Sequence, residues 1–201
     1  MARTTLPQQR HPKDAEATRE RLFVAAAEEL AEHGFAGARI DRIAERAGTN
    51  KRMIYVYFGD KDRLYETVFE RLIVAYNEAV PLNTDDLGTF AITRFDYMLA
   101  NPMVRRLATW RTIEHAETTA AERASYQQKV DAVAAAQQAG KVNATFSALD
   151  LYAMVLRLTE SWLSAPPALQ AVAGDHPLAA ERLAKHRAAL VEAVRRITEP
   201  G

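Results

Sequence analysis

The stretch TNKRMIYVYFGDK, Thr49 to Lys61, gathers Lys51, Arg52 and Lys61 around two tyrosines, a phenylalanine and a methionine. Guanidinium and ammonium groups suit guanine O6 and N7 or phosphate oxygens, a tyrosine hydroxyl can donate to phosphate, and Met53 offers only apolar contact, for example to a thymine methyl. This is the chemistry of recognition, and no catalytic constellation accompanies it. The chain has no cysteine, which removes thiol nucleophiles, thiolate zinc sites and disulfides. Its five histidines show no ligand spacing and its eight glycines do not cluster, so no metal, cofactor or phosphate-cradling loop is expected. The expectation is a protein that is not an enzyme.

Such a surface needs elements to hold it. Leu22, Phe23, Ala26, Ala27 and Leu30 fall on one face of a helix from Asp14 to His33, and Gly34 can end it. Ile40, Ile43, Ala44 and Ala47 mark a short second helix that Gly48 terminates. Asn50 is placed to cap a third, Lys51 to about Phe58, in which Ile54 and Phe58 are four apart and face inward. Two short helices around a glycine-containing turn have helix-turn-helix spacing. In that unit the second helix lies in the major groove and its N-terminal residues, here Asn50, Lys51, Arg52 and Met53, reach base edges. Tyr57 then lies near the outer face, while Tyr55 is open between core packing and a phosphate contact. Lys61 begins a long helix to Val80, where a cation and free backbone N–H groups make an anion site.

Beyond Pro81 the chain reads as helix throughout, with candidates at 85–100, 103–115, 120–139, 147–163 and 176–197, so the class is all-α. The link APPALQAVAGDHP separates the last two. The helix 147–163 is apolar on nearly every side, which calls for burial on every side. The final helix has a large stripe (Leu183, Leu190, Val194, Ile197) and a small one (Ala180, Ala184, Ala188, Val191). Both helices could meet symmetry mates as a four-helix bundle, with Leu151, Tyr152, Val155, Leu158, Trp162, Leu183, Leu190, Val191 and Val194 at a homodimer interface; packing within one monomer is the alternative. A small-molecule pocket would be a gap among Phe95, Met98, Met103, Trp110, His115, Tyr126, Phe146 and Trp162, although such a set is more often plain core.

Lys plus Arg and Asp plus Glu are 26 each over 201 residues, so no global charge draws the chain to nucleic acid or membrane. From Arg39 to Arg63, however, seven cations face four acids. No signal peptide or membrane span is apparent, and the cytoplasm is the default expectation. The expected organisation is a flexible arm at 1–13 carrying Arg3, Arg10 and Lys13, a helix-turn-helix domain at 14–62, and a helical domain at 63–201.

Thr18 to about Glu70 resembles the DNA-binding domain of the TetR family of bacterial transcriptional repressors. The runs RLFVAAAEELAEHGFAGARI, DRIAERAG and TNKRMIYVYFGDKDRLY carry the resemblance, and Tyr55, Phe58, Lys61 and Leu64 match its Y-x-x-F-x-x-K-x-x-L pattern. The resemblance implies a homodimer that binds a double-stranded palindromic operator and is released by a small-molecule effector, with the last two helices forming the dimer bundle. The family often has Ser or Thr at the start of its second helix, where Ala38 and Arg39 stand, so the phosphate contact moves to Arg39. It often has small residues where Arg52 and Met53 stand and histidine where Tyr57 stands, which bears on which operator is read. The runner-up is a helical binding or adaptor protein whose helix-turn-helix no longer reads DNA.

Overall fold

The computed structural model describes residues 12–114 and 117–200, with side chains from 14 onward. The expectations for Arg3, Arg10, the Lys13 side chain and His115 lie outside the described residues. Among those described, every regular element is a helix: α1 (Pro12–Gly37), α2 (Ile40–Arg46), α3 (Lys51–Phe58), α4 (Lys61–Ala79), α5 (Leu87–Ala100), α6 (Pro102–Ile113), α7 (Ala120–Gln138), α8 (Ala148–Glu160), α9 (Pro167–Val172) and α10 (Ala180–Thr198). None is long and apolar enough to cross a membrane.

Local chemistry sets these boundaries. Asp86 starts α5 by accepting the Thr89 N–H, Thr119 and Glu122 form a reciprocal capping box at α7, and Ser147 accepts the Asp150 N–H at α8. Pro102 sits in the first turn of α6, where a missing N–H leaves no helical bond unmade. The link between α8 and α10 holds α9, with proline at its start.

The chain packs as two compact units. The first runs through Leu72 and includes Met103–Glu117; the second is Ile73–Pro102 with Thr118–Gly201. This packing differs from the contiguous division at 62/63, because α6 returns to the first unit. Leu107 is buried in the first core beside Leu22, Leu30, Ile43, Ile54, Leu64 and Phe69, with Met103 packed against them. In the second unit, α5 lies against α8 and α10, and α7 against α8. Phe90, Phe95, Leu151, Val155, Leu190 and Val194 are among its buried residues.

Candidate nucleic-acid interface

α2 and α3 are joined by a turn that Gly48 makes possible. Its φ of 63° is a left-handed conformation that side chains disfavour. The Gly48 N–H donates to Glu45 and the Thr49 N–H to Ala44, closing the end of α2. Ile54 and Phe58 anchor α3 in the first core, each contributing roughly 1.5–3 kcal/mol of apolar burial. Arg21 ties α1 to the turn by donating from Nε to the Ala47 carbonyl at 3.2 Å.

With those anchors fixed, Lys51, Arg52, Tyr55 and Val56 are exposed. Tyr55, which sequence left open, is 51% exposed. Met53 and Tyr57, expected to face outward, are half-buried and packed against the first core. At about 100° per residue, 53 and 57 flank the 54/58 stripe and widen it. Asn50 occupies the N-cap position of α3, but its side chain makes no capping bond. Its carbonyl accepts from the Met53 N–H at 3.0 Å.

The cations differ in how they are held. Lys51 pairs with Asp41 at 3.3 Å, an exposed contact of little energetic weight that a phosphate could displace. Arg39 and Arg52 side chains are exposed and make no ion pair among the described residues. Lys61 is half-buried, with Nζ 5.3 Å from the Tyr65 ring centroid.

Glu29 is a supporting residue that sequence reasoning missed. Arg39, at the N-cap of α2, has no capping side chain. Instead Glu29 Oε1, fully buried, accepts the Arg39 N–H at 2.9 Å and Arg42 Nε at 2.7 Å. Arg42 Nη2 in turn donates to the Gly37 carbonyl at 2.7 Å. Burial alone would raise the Glu29 pKa, but the hydrogen bonds from Arg42 and the Arg39 N–H outweigh it and hold the carboxyl below its ordinary value. A buried glutamate on α1 thus does the work of a capping hydroxyl. The available signal was the acid itself, set on the apolar stripe one position before Leu30.

The described residues expected to line an effector pocket are divided between the two units. Met103 and Trp110 belong to the first unit, where the Trp110 indole donates to the Ala31 carbonyl at 3.2 Å. Phe95 and Met98 are buried in the second unit, Phe146 is half-buried, and Tyr126 is 53% exposed. Trp162 is buried, donates to the Pro177 carbonyl at 2.9 Å, and has the Arg182 guanidinium 3.9 Å from its ring centroid. The second unit does contain a cleft of about 310 Å³ between the end of α4, the segment after it and α7, lined by Asn77, Val80, Leu82, Thr84, Ser125, Gln128, Lys129 and Ala132. None of the pocket residues expected from sequence lines it. The missed signal was the run Ser125, Lys129, Ala132, small or polar at helical spacing on α7.

The residues expected at a dimer interface divide by burial. Leu151, Tyr152, Val155, Trp162, Leu183, Leu190 and Val194 are buried inside one chain, and Leu158 and Val191 are half-buried. Packing of α8 and α10 around α5 takes up that stripe. Leu149, Ala153 and Met154 of α8 and Ala184 and Ala188 of α10 are exposed.

His186 on α10 is buried, with its ring 5.1 Å from that of Phe95 and 6.0 Å from that of Trp162, and its Nε2 has no hydrogen-bond partner among the described residues. Burial, followed by the charges of Arg182 and Arg187, lowers its pKa below 6.5; Asp96 is engaged by Arg187 at 2.7 Å. The unfolded chain therefore binds the proton more readily, and stability falls as pH drops below about 6.5. The thermal midpoint followed by circular dichroism should decline on acidification through this range, and less steeply in His186→Gln. An equal slope in the variant would place the titration elsewhere.

Comparison with known proteins agrees with this architecture. Residues 22–68 match the family model described as bacterial regulatory proteins, tetR family. Residues 86–196 match the tetracyclin repressor-like C-terminal domain. The chain is 35% identical to the HTH-type transcriptional repressor SCO4008 of Streptomyces coelicolor, over 80% of this chain and 85% of that protein. It is 39% identical to the HTH-type transcriptional repressor NicS of Pseudomonas putida over 33% of this chain and 32% of that one. A crystal structure of the Streptomyces coelicolor transcriptional regulator SCO4942 superposes with a TM-score of 0.79 at 36% identity, covering 92% of this chain and 99% of that chain.

Proposed function

Since the chain belongs to the TetR family of bacterial regulatory proteins, a family of DNA-binding transcriptional regulators rather than enzymes, we propose that it is a repressor that binds a palindromic operator as a homodimer and leaves it when a small-molecule effector binds. The observation that carries this reading is α3: Ile54 and Phe58 hold it from behind, while Lys51, Arg52 and Tyr55 stand exposed on its outer side. The name of SCO4008, matched over 80% of this chain, supports repression over activation.

In this reading residues 14–62 bind DNA and 63–201 carry effector binding and dimerisation. Lys51, Arg52 and the exposed part of Met53 read bases, with Asn50 beside them. Arg39, Tyr55, Tyr57 and Lys61 hold phosphates. The dimer forms through the outer face of α8 and α10, at Leu149, Met154, Ala184, Ala188 and Val191. Small residues there allow close helix approach. Sedimentation at micromolar concentration should give a dimer.

Fluorescence anisotropy with DNA from the region upstream of the protein's own coding sequence tests the assignment. Affinity should fall steeply with salt, because phosphate contacts release counterions. Lys61→Ala should weaken binding to all sequences about equally and lower the salt slope by about one. Arg52→Ala should instead relax preference at particular base pairs, at roughly 1–3 kcal/mol per lost contact. Uniform loss in both variants would sink the base-reading role, and no binding by the unaltered protein would favour the adaptor alternative.

A further inference from the structure

We propose that the cleft between the end of α4 and α7 is an anion site, and that the effector is a small organic carboxylate whose charged end pairs with Lys129 while its apolar body lies against Val80, Leu82 and Ala132. The proposal rests on reading the second unit as effector-binding.

Lys129 is a half-buried cation without a counter-charge. Its Nζ donates to Asn77 Oδ1 at 2.7 Å and to Ser125 Oγ at 3.0 Å, both neutral acceptors. No carboxylate among the described residues lies within ion-pairing distance of it. An ammonium has three donors, so one remains beyond these two bonds. Its other near neighbours are rings: Nζ is 5.6 Å from the Tyr76 centroid and 5.8 Å from that of Tyr126. Elsewhere in the chain exposed lysines find acids, as Lys141 does with Asp85 and Lys185 with Glu181, each at 2.7 Å. Lys129 has less water than those and no acid.

The surroundings add positive charge. Arg94, buried, has its guanidinium carbon 6.0 Å from the centroid of the same Tyr76 ring. Among the described residues its Nε has no hydrogen-bond partner, and its carboxylate partner, Glu160, is shared with Arg157. Glu160 is therefore taken up by two arginines, and Lys129 is left with its neutral acceptors. Burial, and after it the charge of Arg94, lowers the Lys129 pKa. A bound carboxylate would relieve both penalties. The Ser125 and Thr84 hydroxyls and the Gln128 amide supply further donors, and a volume of about 310 Å³ suits a small molecule rather than a polymer.

The test uses the intact protein with straight-chain carboxylates from butanoate to decanoate and benzoate, each against its uncharged primary amide. Calorimetric titration reads binding, and anisotropy reads release of operator DNA. At least one carboxylate should bind, its amide should bind roughly ten- to a hundredfold more weakly, and Lys129→Met should lose the same factor, as expected for one charge-assisted hydrogen bond. Lys129→Arg should restore most of it. Folding of the Lys129→Met variant is checked by its DNA affinity, expected to be unchanged, and by a cooperative thermal transition whose midpoint is not lowered. Equal binding of acid and amide, equal binding by Lys129→Met, or no carboxylate binding at all would each overturn the anion site. Carboxylate binding that depends on Lys129 but leaves DNA affinity unaltered would keep the site and remove its role as the effector site.

Discussion

Replacing Gly34 with alanine is expected to cost on the order of 4 kcal/mol, combining backbone strain with overpacking, and to lower the thermal midpoint by roughly 10 °C in a chain of this size. Gly34 interrupts α1 with φ 68° and ψ −175°, a region that only glycine populates readily. An added Cβ would stand 2.6 Å from Glu114 Oε1 and 2.9 Å from Trp110 Cε3. Neither neighbour can yield freely. Glu114 accepts the Phe35 N–H at 2.7 Å and the Ala36 N–H at 3.2 Å, and the Trp110 indole is bonded to the Ala31 carbonyl. Moving them would break the clasp that holds the end of α1 against α6. Gly48→Ala is the control, because Gly48 also has positive φ but nothing lies within 4 Å of its would-be Cβ. It should cost only the backbone contribution, about 1–2 kcal/mol. Urea unfolding of both variants separates the two effects. If Gly34→Ala is no worse than Gly48→Ala, the clasp gives way and the packing half of the prediction fails. DNA affinity should fall with Gly34→Ala as well, since Glu29 and Arg42 fix α2 from the same end of α1.

The contrast between these glycines also marks what a sequence discloses. The helix-turn-helix was legible because each of its signals is local: Ile43 and Ala44 at helical spacing, Gly48 at the turn, Ile54 and Phe58 four apart. The clasp was not, because Phe35 and Glu114 meet across a long stretch of chain and neither carries a pattern naming the other. For the same reason Met103 and Trp110 looked like companions of Phe95 when they pack in a different unit. Periodicity showed that α8 is apolar all round and that α10 has two stripes, but it cannot rank two apolar faces. That choice is made by α5, whose Phe90 and Phe95 draw Leu151, Val155 and Leu190 inward and leave Met154 and Ala188 outside. On α3 the anchors were assigned correctly from spacing, yet Met53 and Tyr57 turned partly inward because an apolar stripe on a short helix is wider than its two most buried residues. The cleft escaped because its polar residues, Asn77 on α4 and Lys129 on α7, are ordinary surface types until the fold brings them to 2.7 Å.

Arg94→Ala is expected to be the most damaging substitution in the second unit. The guanidinium donates from Nη1 to Thr159 Oγ1 and from Nη2 to Glu160 Oε1, each at 2.6 Å, and it is almost wholly buried. A buried ion pair is a poor source of net stability, because desolvation offsets most of the attraction, but removing one member leaves the other uncompensated and costs about 3–5 kcal/mol. Here Glu160 keeps Arg157 at 2.9 Å, which places the loss toward the lower end of that range. Thr159 is cushioned too, since its hydroxyl also donates to the Leu156 carbonyl. Chemical denaturation of Arg94→Ala, Glu160→Gln and the Arg94→Met/Glu160→Gln double variant resolves the contributions. The double variant should be more stable than Arg94→Ala alone, because it removes both charges and refills the space with apolar volume. If it is instead less stable, then the network rather than the orphaned charge holds this part of the unit together. Arg94→Met/Glu160→Gln has a second readout. With the Arg94 charge gone, the smaller of the two causes that depress the Lys129 pKa disappears, so that amine should titrate higher and react more slowly with an acylating reagent at neutral pH. The stability of the second unit and the charge of its cleft are then set in part by the same arginine.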